Sequence, residues 1–194
     1  MADSDRYAWV DDERLPAACF TAVLGIEADA VVRRFGGDLD TERAATFDEA
    51  FNPYPEAQYL VFDRLGEGAL VAENNGWEGS RADVGQLVSQ GGRMASVYWS
   101  VNADLSFLYA VEGNVVAWFD PLLIEQPWMG SDPDSVAEVG RDLSFGIEGA
   151  LRDSFVLLER LTGVSIEPSW LEEAHRCVAV EPLPEPKEPW DSGD

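Results

Sequence analysis

Basic residues are scarce in this 194-residue chain. Twelve arginines, a single lysine (Lys187) and a single histidine (His175) face 37 acidic residues, for a formal charge of −24. A nucleic-acid grip needs clustered Lys and Arg to displace counterions from phosphates, so direct nucleic-acid binding is excluded. Anionic membrane surfaces are excluded on the same ground. One histidine rules out every mechanism that needs two. Cysteine is nearly as rare: Cys19 and Cys177 stand far apart and form neither a metal-type spacing nor a redox pair. They read as small buried core residues of a reducing compartment, since a disulfide would require the first and last strands to be neighbours. Long apolar runs are missing too. The longest, Ala17 to Ile26, is about half of what a bilayer-spanning helix needs. The opening MADSDRYAW has no basic region and no apolar stretch, so no secretory leader is expected and the protein is expected to be cytoplasmic.

What is present is enough to fold. Hydrophobic residues make up 46% of the chain, with seven tryptophans, enough apolar surface to offset chain entropy. The charge is uneven: residues 1–56 carry a net −8, residues 57–119 only −4, and residues 120–194 a net −12. The quiet middle is where the core should lie. The acidic flanks favour solubility and a basic protein partner approached by long-range attraction.

Residues 17–24 (AACFTAVL) read as a first strand, followed by a helix over Glu27–Phe35 that Gly36-Gly37 stops. A second short helix is expected from Thr41 to Phe51, ended by Asn52-Pro53-Tyr54-Pro55. Gln58–Leu65 and Ala69–Asn74 form a hairpin around Gly66-Glu67-Gly68. Ser80 is placed to cap a helix over 81–90, with Asp83 in its first turn. Met94–Val101, Leu105–Val111 and Val115–Phe119 form a three-strand meander. Along its first strand Ala95, Val97, Trp99 and Val101 share an apolar face, and Ser96, Tyr98, Ser100 and Asn102 share a polar one. An irregular acidic stretch runs from Asp120 to Leu143. A long helix over Ile147–Thr162 aligns Ile147, Leu151, Phe155, Leu158 and Leu161, and Gly163 ends it. Pro168 opens a short helix with Trp170 and Leu171. These elements predict an α+β fold with a largely antiparallel sheet of about six strands and helices packed against it. One globular domain is expected over 1–176, and residues 177–194 should add a last strand and then an acidic, proline-rich disordered tail.

Motifs for chemistry are weak. His175 follows Glu172-Glu173 at a helix end, where a surface histidine is favoured, and no G-x-S-x-G elbow supplies a nucleophile. Asp38-Leu39-Asp40-Thr41-Glu42 with Glu49 has acids at EF-hand positions 1, 3, 5 and 12, but Arg43 occupies the position that needs glycine. Gly66-Glu67-Gly68 leads into a strand and fails as a dinucleotide fingerprint. No cofactor and no metal are therefore expected. The most distinctive stretch is Glu73-Asn74-Asn75-Gly76-Trp77-Glu78-Gly79-Ser80. Asn75-Gly76 permits a positive-φ turn, Trp77 offers a rigid contact surface, and Glu73 or Glu78 offers an acidic handle. With Tyr98 and Asn102 from the meander's polar face these form the candidate binding residues: Glu73, Asn75, Trp77, Glu78, Tyr98 and Asn102. The competing reading makes Trp77 a plug at the sheet edge and the asparagines turn-satisfying groups.

Tyr7-Ala8-Trp9-Val10, the ENNGWEG segment at 73–79, Tyr98–Ala103 (YWSVNA), Thr162-Gly163-Val164 and Trp170-Leu171 together resemble an actinobacterial family recorded only as a domain of unknown function. The resemblance spans about residues 6–175. It carries no assigned catalytic residues. Pro often replaces Asn74 there, and Asn often replaces Ser100, so neither side chain is assigned a role. The expectation is a non-enzymatic acidic interaction module, of an accessory or immunity type. A small-molecule binder or hydrolase using Glu73 or Glu78 beside Trp77 and Asn102 is one alternative, and an inhibitor that mimics nucleic acid is another.

Overall fold

The computed structural model describes residues 3–53, 56–181 and 183. Eight strands, two more than expected, form one antiparallel sheet in the order β2-β8-β3-β4-β1-β5-β6-β7. In chain order they are β1 (Ala18–Leu24), β2 (Gly37–Ala45), β3 (Tyr59–Leu65), β4 (Gly68–Asn74), β5 (Arg93–Trp99), β6 (Leu105–Val111), β7 (Asn114–Phe119) and β8 (His175–Val180). Five helices accompany them: α1 (Ala28–Arg34), α2 (Ala82–Val88), α3 (Pro133–Val139), α4 (Ala150–Thr162) and α5 (Ser169–Glu172). The α+β class holds.

Both faces of the sheet are covered. On one, Phe20 of β1 is the hub: its ring stacks with Phe47 and Trp99 and meets the edges of Trp9, Phe155 and Trp170 at centroid distances of 5.4–6.2 Å. Phe155 comes from α4, Trp170 from α5 and Trp9 from the 3-10 turns Asp3–Asp11, so three distant segments converge on one ring. Truncating such a ring costs about 3–5 kcal/mol. Trp99 donates its indole N–H to Leu15 O at 2.8 Å, which fixes the approach to β1. The other face packs Val23, Phe62, Val71, Met94 and Leu108 under α1 and α2.

Local pattern located most elements, and the exceptions are instructive. The helix expected over Thr41–Phe51 is instead the edge strand β2, followed by a single 3-10 turn at Asp48–Ala50. It pairs with β8 through a register shift between Asp38 and Arg43. Arg176 of β8 is bonded to Glu42 and to Asp29, both at 2.6 Å. A partner more than a hundred residues away thus overrides local helical spacing. The acidic stretch after Asp120 contains α3, entered through Pro133. Ser80 does not cap α2. Arg81 stands at that position with no side-chain cap, and the Ser80 hydroxyl donates to Trp77 O. The long helix starts at Ala150, leaving Ile147 outside it and 92% exposed. The meander's polar face is graded: Ser96 is fully buried, Tyr98 and Ser100 are half-buried, and Asn102 is exposed.

The final strand starts at His175 and lies between β2 and β3, not at the margin. Most of the tail lies outside the described residues. Cys19 on β1 and Cys177 on β8 are buried free thiols, with β3 and β4 between their strands. Because β8 supplies the pairing edge of both β2 and β3, a chain ended at Ala174 should lose cooperative unfolding. Retention of a sharp thermal transition by circular dichroism would show β8 to be dispensable.

Candidate functional site

Glu73 is the penultimate residue of β4, and the pleat points it to the α1/α2 face. Its cross-strand neighbour Cys19 is flanked on the far side by Tyr98 of β5. Glu73 is 2% exposed, and among the described residues no cation is bonded to its carboxyl group. Oε1 accepts the N–H of Glu78 at 2.9 Å and Oε2 that of Gly79 at 2.8 Å. The Ser96 hydroxyl donates to Gly79 O at 2.7 Å. These three bonds clamp the 3-10 turn Glu78–Ser80 onto the sheet. A Cβ on Gly79 would overlap Thr21 Oγ1 and lie 2.9 Å from Cys19 Sγ, so only glycine admits this approach.

The rest of the ENNGWEG segment is committed in the same way. Asn75 adopts φ +59°, as its pairing with Gly76 suggests. Its N–H donates to Ala17 O at 3.0 Å and its side chain to Asn52 O at 2.8 Å. The Asn74 side chain donates to Phe47 O at 3.1 Å. Glu78 is buried and bonded to Arg81 at 2.8 Å. Arg81 also holds Asp83 at 2.7 Å and lies 5.7 Å from the Trp77 ring centre. Each of these groups satisfies a backbone or a charge that burial would otherwise leave unpaired.

Glu73, Asn75, Trp77 and Glu78 are brought together around a cavity of about 10 Å³ that Asn52 and Gln58 also border. That is space for about one water. Gln58 Oε1 lies buried there without a hydrogen-bond partner among the described residues. Tyr98 is half-buried beside Cys19 and does not border the cavity. Asn102 sits apart, exposed in the turn between β5 and β6, with its N–H bonded to Ser100 Oγ at 3.1 Å.

Burial pushes the Glu73 carboxyl up to about 7, against the two backbone N–H bonds that favour its ionised form. Burial likewise drives the Cys19 thiol far above its ordinary value. It is no thiolate, hence no nucleophile. His175, expected at the surface, is 8% exposed at the start of β8. Its ring stacks on Trp170 at 4.2 Å, with Nε2 2.9 Å from Trp170 O and Nδ1 3.4 Å from Asp63. Its alternation with Cys177 on a strand, not its place after a helix, decides its burial. The acids at 38, 40 and 42 lie along β2, and no group of three His, Cys, Asp or Glu among the described residues could hold a metal ion.

Cys19, Thr21, Asn52, Gln58 and Ser96 are members of this cluster that sequence reasoning missed. The one available signal was in β1, where Cys19 and Thr21 flank Phe20 and so put weakly polar groups on a face otherwise apolar.

The molecule is thus an α+β protein whose buried polar cluster holds a loop against the centre of a two-sided sheet. Over residues 1–185 the chain matches the family of unknown function DUF6461, and it belongs to that family. No curated protein and no solved structure is detectably similar to it.

Two outcomes test the clamp. Gly79→Ala should cost about 1–3 kcal/mol in denaturant unfolding, from forced displacement of the turn. A neutral result would mean that the turn does not lie against Thr21. The folded Glu73 carboxyl titrates at about 7 and the ordinary value is 4.5, so between these the folded state binds the extra proton. Stability therefore falls as pH rises through that window. Relative to Glu73→Gln, which cannot titrate, wild type should lose on the order of 3 kcal/mol across it. Parallel stability–pH curves for the two proteins would contradict the assignment.

Proposed function

We propose that the protein is a non-catalytic acidic binding module whose partner is a basic protein. One observation carries this reading: even if every Lys and Arg neutralised one acid, 24 carboxylate charges would remain. The arginines are largely spent within the fold. Arg6, Arg14, Arg141, Arg152, Arg160 and Arg176 are each bonded to acids of the same chain. The residual field attracts cations over distances of about a Debye length, and it raises association rates more than it raises affinity.

The interior cluster supports the same reading from the other side. A general base at Glu73 would need a substrate proton within hydrogen-bond reach, and the adjoining space takes about one water. The groups around it are engaged in holding backbone. Chemistry there would require the 75–81 loop to lift away, which breaks the carboxylate clamp.

The tagged protein, incubated with native lysate of its source organism, should retain proteins of high isoelectric point at low salt. They should be released as the Debye length shrinks from about 30 Å to about 3 Å. Retention of nothing at low salt, or only of proteins indifferent to salt, would count against the proposal.

A further inference from the structure

Among the described residues most large apolar side chains are covered, and of the eight left exposed three cluster in one place. Leu123, Ile124 and Ile147 are 45%, 62% and 92% exposed. They lie together near the N-terminus of α4, on the Phe20 side of the sheet and at the end where β5 turns into β6. Three adjoining concavities of about 340, 420 and 500 Å³ run through this region. The second and third share Leu122 and Ile147, the first and third share Leu123, and the first and second share Leu105. Their linings overlap, so they adjoin as one grooved region of the surface.

Backbone hydrogen bonds tie down the segments that carry these exposed aliphatic side chains. Leu123 N–H donates to Asp120 O at 3.0 Å and Gln126 N–H to Leu123 O at 2.9 Å, giving two successive turns. Gly146 N–H donates to Pro121 O at 2.9 Å and ties the Ile147 segment to the same turns. The side chains are therefore presented on fixed backbone, which lowers the ordering cost of binding. Around them stand Asp104, Asp120, Glu125 and Glu148, and among the described residues no Lys or Arg lines any of the three concavities. A fifth acid there, Asp11, is already bonded to Arg152.

We infer that this groove is the docking site of a basic amphipathic segment of another protein, one with aliphatic side chains flanked by Lys or Arg. The inference rests on the reading of the protein as an acidic binding module and gives that module its contact surface. The exposed Leu123, Ile124 and Ile147 side chains pack against the segment's aliphatic side chains, and the four carboxylates meet the flanking cations. A second copy of this chain fits poorly, because it would set the same carboxylates against one another.

The test uses the full chain and a synthetic amphipathic Lys/Leu peptide, with polylysine and a Glu/Leu peptide as comparisons, read by calorimetric titration. Ile124→Ser/Ile147→Ser changes two exposed side chains and should leave the melting temperature unaltered. It should weaken the Lys/Leu peptide by roughly tenfold or more while leaving polylysine unchanged. Glu125→Gln/Glu148→Gln should weaken the same peptide and flatten its salt dependence. The Glu/Leu peptide should not bind. If the isoleucine variant binds the Lys/Leu peptide as wild type does, the groove assignment is wrong, although a cationic partner still stands. If no cationic probe binds saturably at low salt, the acidic-module reading falls as well. Sedimentation showing a dimer that the isoleucine variant abolishes would make a second copy the occupant and overturn the inference.

Discussion

The middle of β1 sets the terms for both faces of the molecule. Phe20 turns one way and gathers rings from all three thirds of the chain: Trp9 and Phe47, Trp99, and Phe155 and Trp170. Cys19 and Thr21 turn the other way and provide a low, weakly polar floor. Onto that floor Glu73 draws the turn at 78–80 through two charge-capable hydrogen bonds. Small residues are needed there because the turn rests directly on the strand. The position of β1, between β4 and β5, makes both consequences central. Loss of Phe20 packing would loosen α4 and α5, and loss of the Glu73 clamp would loosen the loop that closes the opposite face.

Local sequence was a good guide wherever an element's partner was close in the chain. The hairpin β3–β4 and the meander β5–β6–β7 were readable because turn chemistry and alternation agree there. Gly163, at φ +72°, ends α4 as expected. Two of the misreadings share one cause. β2 and His175 depend on β8, and β8 inserts between strands that come early in the sequence. Nothing within a window around Thr41 announces a partner at Arg176. The mixed composition of DTERAATF then reads as a helix, although its charges suit an exposed edge strand that resists edge-to-edge pairing.

The candidate residues were legible as a cluster but not in their role. Glu73, Asn75, Trp77 and Glu78 do gather around one cavity, and the positive φ of Asn75 follows from its sequence. What sequence does not carry is direction. Glu73 faces inward because of the pleat, and Asn102 falls away because β5 ends at Trp99 and the chain turns. The apolar groove was hidden for a different reason. Leu122-Leu123-Ile124 lies in a stretch whose acids and prolines dominate its composition, yet an apolar triplet without helical or strand periodicity has no internal face on which to hide.

The two populations of carboxylates obey opposite rules. Inside, burial makes the Glu73 charge costly and the neighbouring Glu78 adds to that cost, so its proton is retained close to neutral pH. Outside, the carboxylates cost little, because water solvates them, and like charge on two copies opposes their approach. That repulsion works against self-association through exposed Ile124 and Ile147. Exposed aliphatic groups on a neutral protein would be a liability to its own copies. Surrounded by like charge, they are accessible mainly to a surface of the opposite sign. If the groove is the docking site proposed above, the acidity and the groove are parts of one arrangement: the carboxylates would select by charge, and the exposed aliphatic side chains would contribute affinity that salt does not screen.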